Sequence, residues 1–335
     1  MRTATDPRRF LLDLYATALA RVEGRAAVRD FLAGRVPAPR NYRVVAIGKA
    51  AAAMMRGALD ALGEVEALLI TKHGHSGSRF PASVTVIEAG HPTPDADSLR
   101  AGALLRQFIN ESAPSQPFLF LISGGTSALV EVLPEGVTLD DLARANEWLL
   151  GAGLDIGTMN RVRKQLSCIK QGHLAQWLAP RPTLALFISD VPGDDPAVIG
   201  SGLLAADRDP VSMPAVPDWL AALLARAPAP PAADNACFAA IESHIIASNR
   251  DAQAAVVSAV PADGLPVFTH PELLAGEVAS AAGVIAAELL AGPPGLYLWG
   301  GETTVRLPAR PGRGGRSQHL ALQIAEAIAG CTEVV

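Results

Sequence analysis

The chain has 335 residues, of which 50% are hydrophobic, and carries a formal net charge of -5 at pH 7. That length suggests two domains of about 100–200 residues, and the apolar share supports a sizeable core. The net negative charge argues against nucleic acid or an anionic membrane surface as the main partner, so the basic residues that matter must act locally.

Asp6-Pro7 is a good N-cap and first-turn pair, and Phe10, Leu11, Leu14 and Ala18 follow at helical spacing, which predicts an opening helix. After a loop around Val36-Pro37-Ala38-Pro39, Tyr42 to Ile47 reads as a buried strand ending in Gly48-Lys49-Ala50. An Ala- and Met-rich helix runs to about Leu62. Strands at Ala67–Thr71 and Val84–Glu88 end in Lys72-His73-Gly74-His75 and in Ala89-Gly90-His91-Pro92-Thr93-Pro94-Asp95, and a helix to about Asn110 follows. Phe118 to Ile122 is a short uninterrupted apolar run, the mark of a strand buried on both faces. It stops abruptly at Ser123-Gly124-Gly125-Thr126-Ser127. Thr138-Leu139-Asp140-Asp141 resembles a capping box and starts a helix to Leu150, and Ile156 to about Leu178 reads as further helix with a break near Gly172. Thr183 to Ser189 is another buried strand, ending in Asp190-Val191-Pro192-Gly193-Asp194-Asp195.

Strand and helix alternating in this way imply right-handed crossovers and a doubly wound, largely parallel, three-layer α/β domain over residues 1–230. The Pro-rich connector Ala225–Ala233 then sets a boundary, and a smaller, dissimilar α/β domain is expected over 235–335. Its predicted elements are a strand at His244–Ala247, a helix from Ser248-Asn249 to Val260, a strand at Pro266–Thr269, a helix at Glu277–Leu290, and strands at Leu296–Trp299 and Thr304–Leu307. The run Gly312-Arg313-Gly314-Gly315-Arg316-Ser317-Gln318 opens a last helix to about Ala329.

Cys168, Cys237 and Cys331 stand far apart with no CxxC pair, which fits a reducing cytosol and neither a disulfide framework nor a zinc site. The N-terminus has no secretory apolar core, and no apolar run reaches the ~18 residues of a membrane span, so a soluble cytoplasmic protein is expected.

Every strand of the first domain hands over to a loop rich in Gly, Pro and ionisable groups, and ligands of open α/β sheets bind at the carboxyl ends of the strands. The Ser123–Ser127 turn offers two glycines and three hydroxyls, so N–H groups and side-chain donors can converge on one small anionic group. An ordinary Gly-rich turn into a helix is the plain alternative. Lys49, directly after a strand, is placed to neutralise a transferring phosphate. Asp190, Asp194 and Asp195 crowd one loop and would repel one another unless a cation compensates; Mg²⁺ held by Asp190 and Asp194 would do so, with Asp190 also a general base. Arg316 follows glycines and precedes a helix, which suits a nucleotide phosphate or a substrate carboxylate. Gly300, Gly301, Glu302 and Thr303, with Gly315, Ser317 and Asn249, are the candidate nucleotide-binding residues. Asn160 and Lys164 are the preferred polar contacts on the helix that also bears Arg161, Arg163 and Lys170. His73 and His75 have H-x-H spacing without a partner motif, and His91 stands before Pro in a loop as a candidate substrate contact. A Walker A pattern is absent. Gly200-Ser201-Gly202-Leu203-Leu204-Ala205 matches the dinucleotide fingerprint, but no clear strand precedes it and no clear helix follows.

Taken together, Ile47-Gly48-Lys49-Ala50, Glu88-Ala89-Gly90-His91-Pro92-Thr93-Pro94-Asp95, Ser123-Gly124-Gly125-Thr126-Ser127, Asn160-Arg161-Val162-Arg163-Lys164-Gln165-Leu166-Ser167, Ser189-Asp190-Val191-Pro192-Gly193-Asp194 and Gly300-Gly301-Glu302-Thr303 with Gly314-Gly315-Arg316-Ser317-Gln318 resemble the glycerate 2-kinase family. Its members have also been labelled hydroxypyruvate reductases, and its C-terminal part is called the MOFRL domain. The resemblance runs from near Asp6 to the end of the chain. It implies ATP-dependent phosphorylation of D-glycerate at the 2-hydroxyl, with Mg²⁺, in a cleft between two dissimilar domains. It also implies Lys49 and Arg316 as a catalytic pair facing each other across that cleft. Two departures stand out: the segment after Gly202 lacks the family's Pro-Thr, and the chain stops at Cys331-Thr332-Glu333-Val334-Val335 where the family continues with further strands, so the second domain is expected to be incomplete. The partner is thus a small hydroxy acid, with no nucleic acid and no membrane, and a homodimer is allowed. The competing readings are an NAD(P)H-linked hydroxypyruvate reductase and an inactive chain that still binds ligand.

Overall fold

The structure is a computed structural model that describes residues 6–35, 41–77, 79–208, 213–261, 264–307, 310–332 and 334. In chain order its elements are α1 (Pro7–Arg21), α2 (Gly24–Ala33), β1 (Arg43–Ile47), α3 (Ala51–Leu62), β2 (Ala67–Lys72), β3 (Val84–Ala89) and α4 (Ala96–Asn110). There follow β4 (Phe118–Ile122), the one-turn α5 (Thr126–Leu129), α6 (Leu139–Gly151), α7 (Ile156–Gln165), α8 (His173–Leu178), β5 (Thr183–Ile188) and α9 (Asp218–Leu224). The last are β6 (Ile241–Ala247), α10 (Asn249–Ala259), β7 (Val267–Thr269), α11 (Val278–Ala291), β8 (Leu296–Leu298) and α12 (Arg316–Ala327). The expected loop at 36–39 lies outside the described residues, as do parts of the expected strand start at 331–335. No helix among the described residues is long and apolar enough to cross a membrane.

The chain divides into two compact units: residues 23–248, and residues up to Val22 together with those from Asn249 onward. In the larger unit six strands form one parallel sheet in the order β3-β2-β1-β4-β5-β6. The apolar run at 118–122 is its central β4, with every residue buried. Alternation along the strands splits the core into two layers. Val45, Ile47, Phe118, Phe120 and Ile122 face one layer with Leu105 and Ile109 of α4 and Leu174 and Leu178 of α8. Val44, Ala46, Leu119 and Leu121 face the other, with Val28 and Leu32 of α2 and Met54, Met55 and Ala58 of α3. A third apolar cluster joins α6, α7 and α9 through Leu142, Leu149, Val162, Leu166, Leu220 and Leu224.

The division between units differs from the expected boundary near residue 230. After the Pro-rich connector the chain adds β6 to the large sheet, pairing Thr183 with Ile241 and Leu184 with Glu242, because the β5 edge offers backbone donors and acceptors that need a partner. The opening segment also departs from a single helix: the Glu23 carboxylate accepts the Arg25 and Ala26 N–H groups and starts α2 anew. Leu14 of α1 is buried with Val256 of α10 and Leu296 of β8, so the first helix belongs to the smaller unit. The predicted helix over 156–178 is interrupted from Leu166 to Gly172, where the Cys168 N–H donates to Val132 O (2.7 Å) and the Gln171 N–H to Ser201 O (3.1 Å). In the smaller unit β7 and β8 form a parallel pair, and the expected strand at 304–307 is an isolated bridge between Glu277 and Thr304.

Candidate active site

In the larger unit the chain winds from β1 outward through β2 and β3, then returns to place β4, β5 and β6 on the other side of β1. The loops after β1 and β4 therefore diverge, and this switch point is where an open parallel sheet has a crevice at its carboxyl edge. Both loops there are firmly tied. The Lys49 N–H donates to Gly124 O (2.9 Å) and the Ser123 N–H to Ile47 O (3.0 Å). The Ala50 N–H donates to Ser123 Oγ (3.1 Å), the Thr126 hydroxyl lies 2.9 Å from Ile47 O and 2.7 Å from Ser123 O, and the Thr71 hydroxyl donates to Gly48 O (3.0 Å). Gly48 admits no side chain, because a Cβ there would run into Ser123 Oγ. Ser123 and Thr126, 2% and 0% exposed, thus face inward. Of the three hydroxyls expected at an anion, these two brace the loop that carries Lys49, and Ser127 alone is half-buried.

Over the two glycines three side chains meet. A Cβ on Gly124 would collide with the Asp190 carboxylate at the end of β5. A Cβ on Gly125 would lie 3.0 Å from His91 Cδ2 and 3.2 Å from Lys49 Cγ. Gly125 also needs its φ of 89°, a left-handed value that glycine takes without strain. Burial presses the His91 pKa below its ordinary value, and the charges of Lys49 and Lys72 press it further, against an opposing pull from Asp190. The imidazole is therefore neutral at pH 7 in a pocket dominated by cations. Lys72, at the end of β2, is a residue the sequence reading passed over; its signal was its place directly after a buried strand, the same as that of Lys49.

Other predicted residues lie elsewhere. Lys164 Nζ donates to Ala197 O (2.9 Å) and stands 3.6 Å from Asp207, and Asn160 is exposed with its side-chain oxygen 3.2 Å from Arg163. Asp195 accepts the Ala197 N–H (2.8 Å), and Asp194 sits at a φ of 53° with its N–H on Val191 O. Among the described residues, the cluster of metal-ligand side chains is His73, Asp95 and Asp97, and it includes neither Asp190 nor Asp194. Partial burial pushes the Asp95 carboxyl up, but hydrogen bonds from His73, Gly90 and Ser98 together override it and hold it at about 2. Lys170, read as one of several helix-face cations, is buried against Glu131 at 2.6 Å, and Ser167 donates to the same carboxylate. The Gly200–Ala205 stretch has only a single 3₁₀ turn at Ile199–Ser201, with no strand before it and no helix after.

In the smaller unit Arg316 is the first residue of α12 and pairs with Glu302, both side chains being exposed. Asn249 packs against Gly300, Thr303 is buried, and Gly315 and Ser317 are exposed. His270, Trp299 and Tyr297 stack in a row, with ring centroids 4.8 and 5.7 Å apart.

A doubly wound parallel sheet with Lys49, His91 and Asp190 gathered over a Gly-Gly turn at its switch point defines an open α/β fold. The chain belongs to the glycerate 2-kinase family and matches its domain of unknown function (DUF4147) over residues 10–226. It is 30% identical to a glycerate 2-kinase of Pyrococcus horikoshii, covering 85% of this chain and 69% of that one. A protein of Agrobacterium vitis that carries a provisional hydroxypyruvate reductase name is 33% identical, over 98% of this chain and 78% of the other. The crystal structure of a glycerate kinase from Thermotoga maritima superposes with a TM-score of 0.80 at 28% identity, covering 97% of this chain and 81% of that one.

Proposed function

We propose that this chain is a D-glycerate 2-kinase that transfers the γ-phosphoryl group of ATP to the 2-hydroxyl. The observation that carries the reading is the meeting of Lys49, His91 and Asp190 over Gly124-Gly125. Phosphoryl transfer asks the protein mainly for positioning and for positive charge at the phosphoryl oxygens. Lys49, its backbone fixed by Gly124, supplies that charge. The 2-hydroxyl oxygen forms a bond to the γ-phosphorus as the bond to the β-phosphate oxygen breaks, and the hydroxyl proton passes to the Asp190 carboxylate. Neutral His91 donates or accepts a hydrogen bond to the acid without adding charge. The side-chain-free Gly124 and Gly125 let Asp190, His91 and Lys49 approach the turn closely.

Mg²⁺ would be held through the Asp190 carboxylate together with the substrate phosphates, as that ion is commonly bound, and would supply further neutralisation of the phosphates. Gly300–Thr303, Asn249, Gly315 and Ser317 remain the proposed nucleotide contacts, and Arg316 the proposed second catalytic cation by family resemblance.

A reductase reading is favoured by the name of the Agrobacterium vitis relative and by nothing in the geometry. A dinucleotide fingerprint belongs in the first βα turn, which here reads Gly48-Lys49-Ala50-Ala51 with a lysine where the pyrophosphate would approach. The test is a product-resolved assay with ATP, Mg²⁺ and D-glycerate. Accumulation of 2-phosphoglycerate with equimolar ADP is expected; NADH loss with hydroxypyruvate and no ATP use would replace the reading with the reductase, and nucleotide binding by calorimetry without turnover would leave a binding protein.

A further inference from the structure

His91 reaches the pocket from the loop Gly90–Asp95, and that loop is closed on itself by one carboxylate. Asp95 is the N-cap of α4: its Oδ1 accepts the Ser98 N–H (3.0 Å) and lies 3.2 Å from the Ser98 hydroxyl, which in turn accepts the Asp95 N–H at 3.0 Å. The same carboxylate lies close against Gly90 at the other end of the loop. The fit is close enough that a Cβ on Gly90 would lie 2.6 Å from Thr93 O and 2.8 Å from Asp95 Oδ2. One further donor arrives from outside the loop. His73, one residue past β2, places Nε2 2.8 Å from Asp95 Oδ2, while its own N–H continues the sheet ladder to Ala89 O (3.2 Å).

We propose that His73 and Asp95 form a latch that positions His91 for the hydroxy-acid substrate. The latch joins the ends of two neighbouring strands: His73 is fixed to β2, Asp95 starts α4, and the loop between β3 and α4 bears His91 against Gly125 and Lys49. The Ser98 N–H, the Ser98 hydroxyl and His73 all meet the Asp95 carboxylate, which makes the group a hydrogen-bonded closure. His73 itself is a positioning residue, exposed enough to be replaced without leaving a cavity.

This inference rests on the kinase reading for its kinetic arm only. Wild-type, His73→Ala, His73→Gln, His91→Ala and the His73→Ala/His91→Ala double variant are compared for kcat and for KM toward D-glycerate, with hydrogen exchange followed across residues 89–98. A contact made equally in ground and transition states appears in KM, and residues acting through one another fail to add. His73→Ala should raise KM by about five- to tenfold at nearly constant kcat, and His73→Gln, whose amide still reaches the carboxylate, should restore it to within about twofold. In the His91→Ala background the same His73→Ala change should alter KM by less than about twofold, and exchange over 90–95 should quicken only where His73 is replaced by Ala. An undiminished penalty in the His91→Ala background overturns the latch. If the wild-type chain forms no phosphoglycerate, the kinase reading falls and the exchange arm decides alone: faster exchange in His73→Ala upholds the latch, and unchanged exchange overturns it.

Discussion

Lys49 and Arg316 are both cations at the start of a helix, yet they are held in opposite ways. Around Lys49 the backbone is over-determined, with hydrogen bonds from Ser123, Thr126 and Thr71 fixing the turn that carries it and Gly124 fixing Lys49 itself. Arg316 is exposed and meets one exposed carboxylate, that of Glu302. The contrast recurs in the ion pairs of the two units. Lys170–Glu131 in the larger unit is 5% and 1% exposed and also takes the Ser167 hydroxyl, whereas Arg316–Glu302 is 47% and 63% exposed. A rigid, dry setting fixes charge at the cost of desolvation; an exposed pair exchanges partners freely and adds little to stability.

The widest separation between the two settings should appear in activity against stability. Arg316→Ala is expected to lower turnover by about 10²–10⁴-fold while leaving the melting temperature almost unchanged, since the lost pair was exposed. An equal fall in both would mean that Arg316 is structural. Lys170→Met, by contrast, leaves Glu131 buried without its cation and should destabilise the larger unit by about 3–5 kcal/mol in urea titrations at constant m-value. The smallest effect belongs to Glu302→Gln, for which the same titration should show a loss of no more than about 1 kcal/mol. If the last two variants lose similar amounts, the contrast between buried and exposed pairs fails.

Much of the larger unit was legible in the sequence because its strands are near-continuous apolar runs and each ends in a distinct change of chemistry, as at Ile47-Gly48-Lys49 and Ile122-Ser123-Gly124. The caps at Asp6 and Thr138 are likewise local: each is set by a side chain reaching no more than three residues along the chain. What escaped was direction and distance. The letters Ser123 and Thr126 announce hydroxyls, but only the packing of β1 against β4 shows that both turn inward to backbone groups. The 22-residue separation of His73 and Asp95 hides a contact that exists because β2 and β3 are neighbours. A Pro-rich connector reads as a domain border, yet the free edge of β5 draws β6 back across it. The pairing of α1 with α10 depends on burying Leu14, which neither segment's own pattern reveals.

The most direct measurement of the central claim is the single-turnover rate of phosphoryl transfer by the Lys49→Ala variant, with ATP, Mg²⁺ and D-glycerate saturating and thermal unfolding recorded alongside. A drop of about 10²–10⁴-fold at an unchanged melting temperature is the predicted result, because the lost ammonium would have met charge that develops in the transition state. Transfer at near wild-type rate by the folded variant would contradict the account, and would place the reacting phosphate somewhere other than the switch point of the sheet.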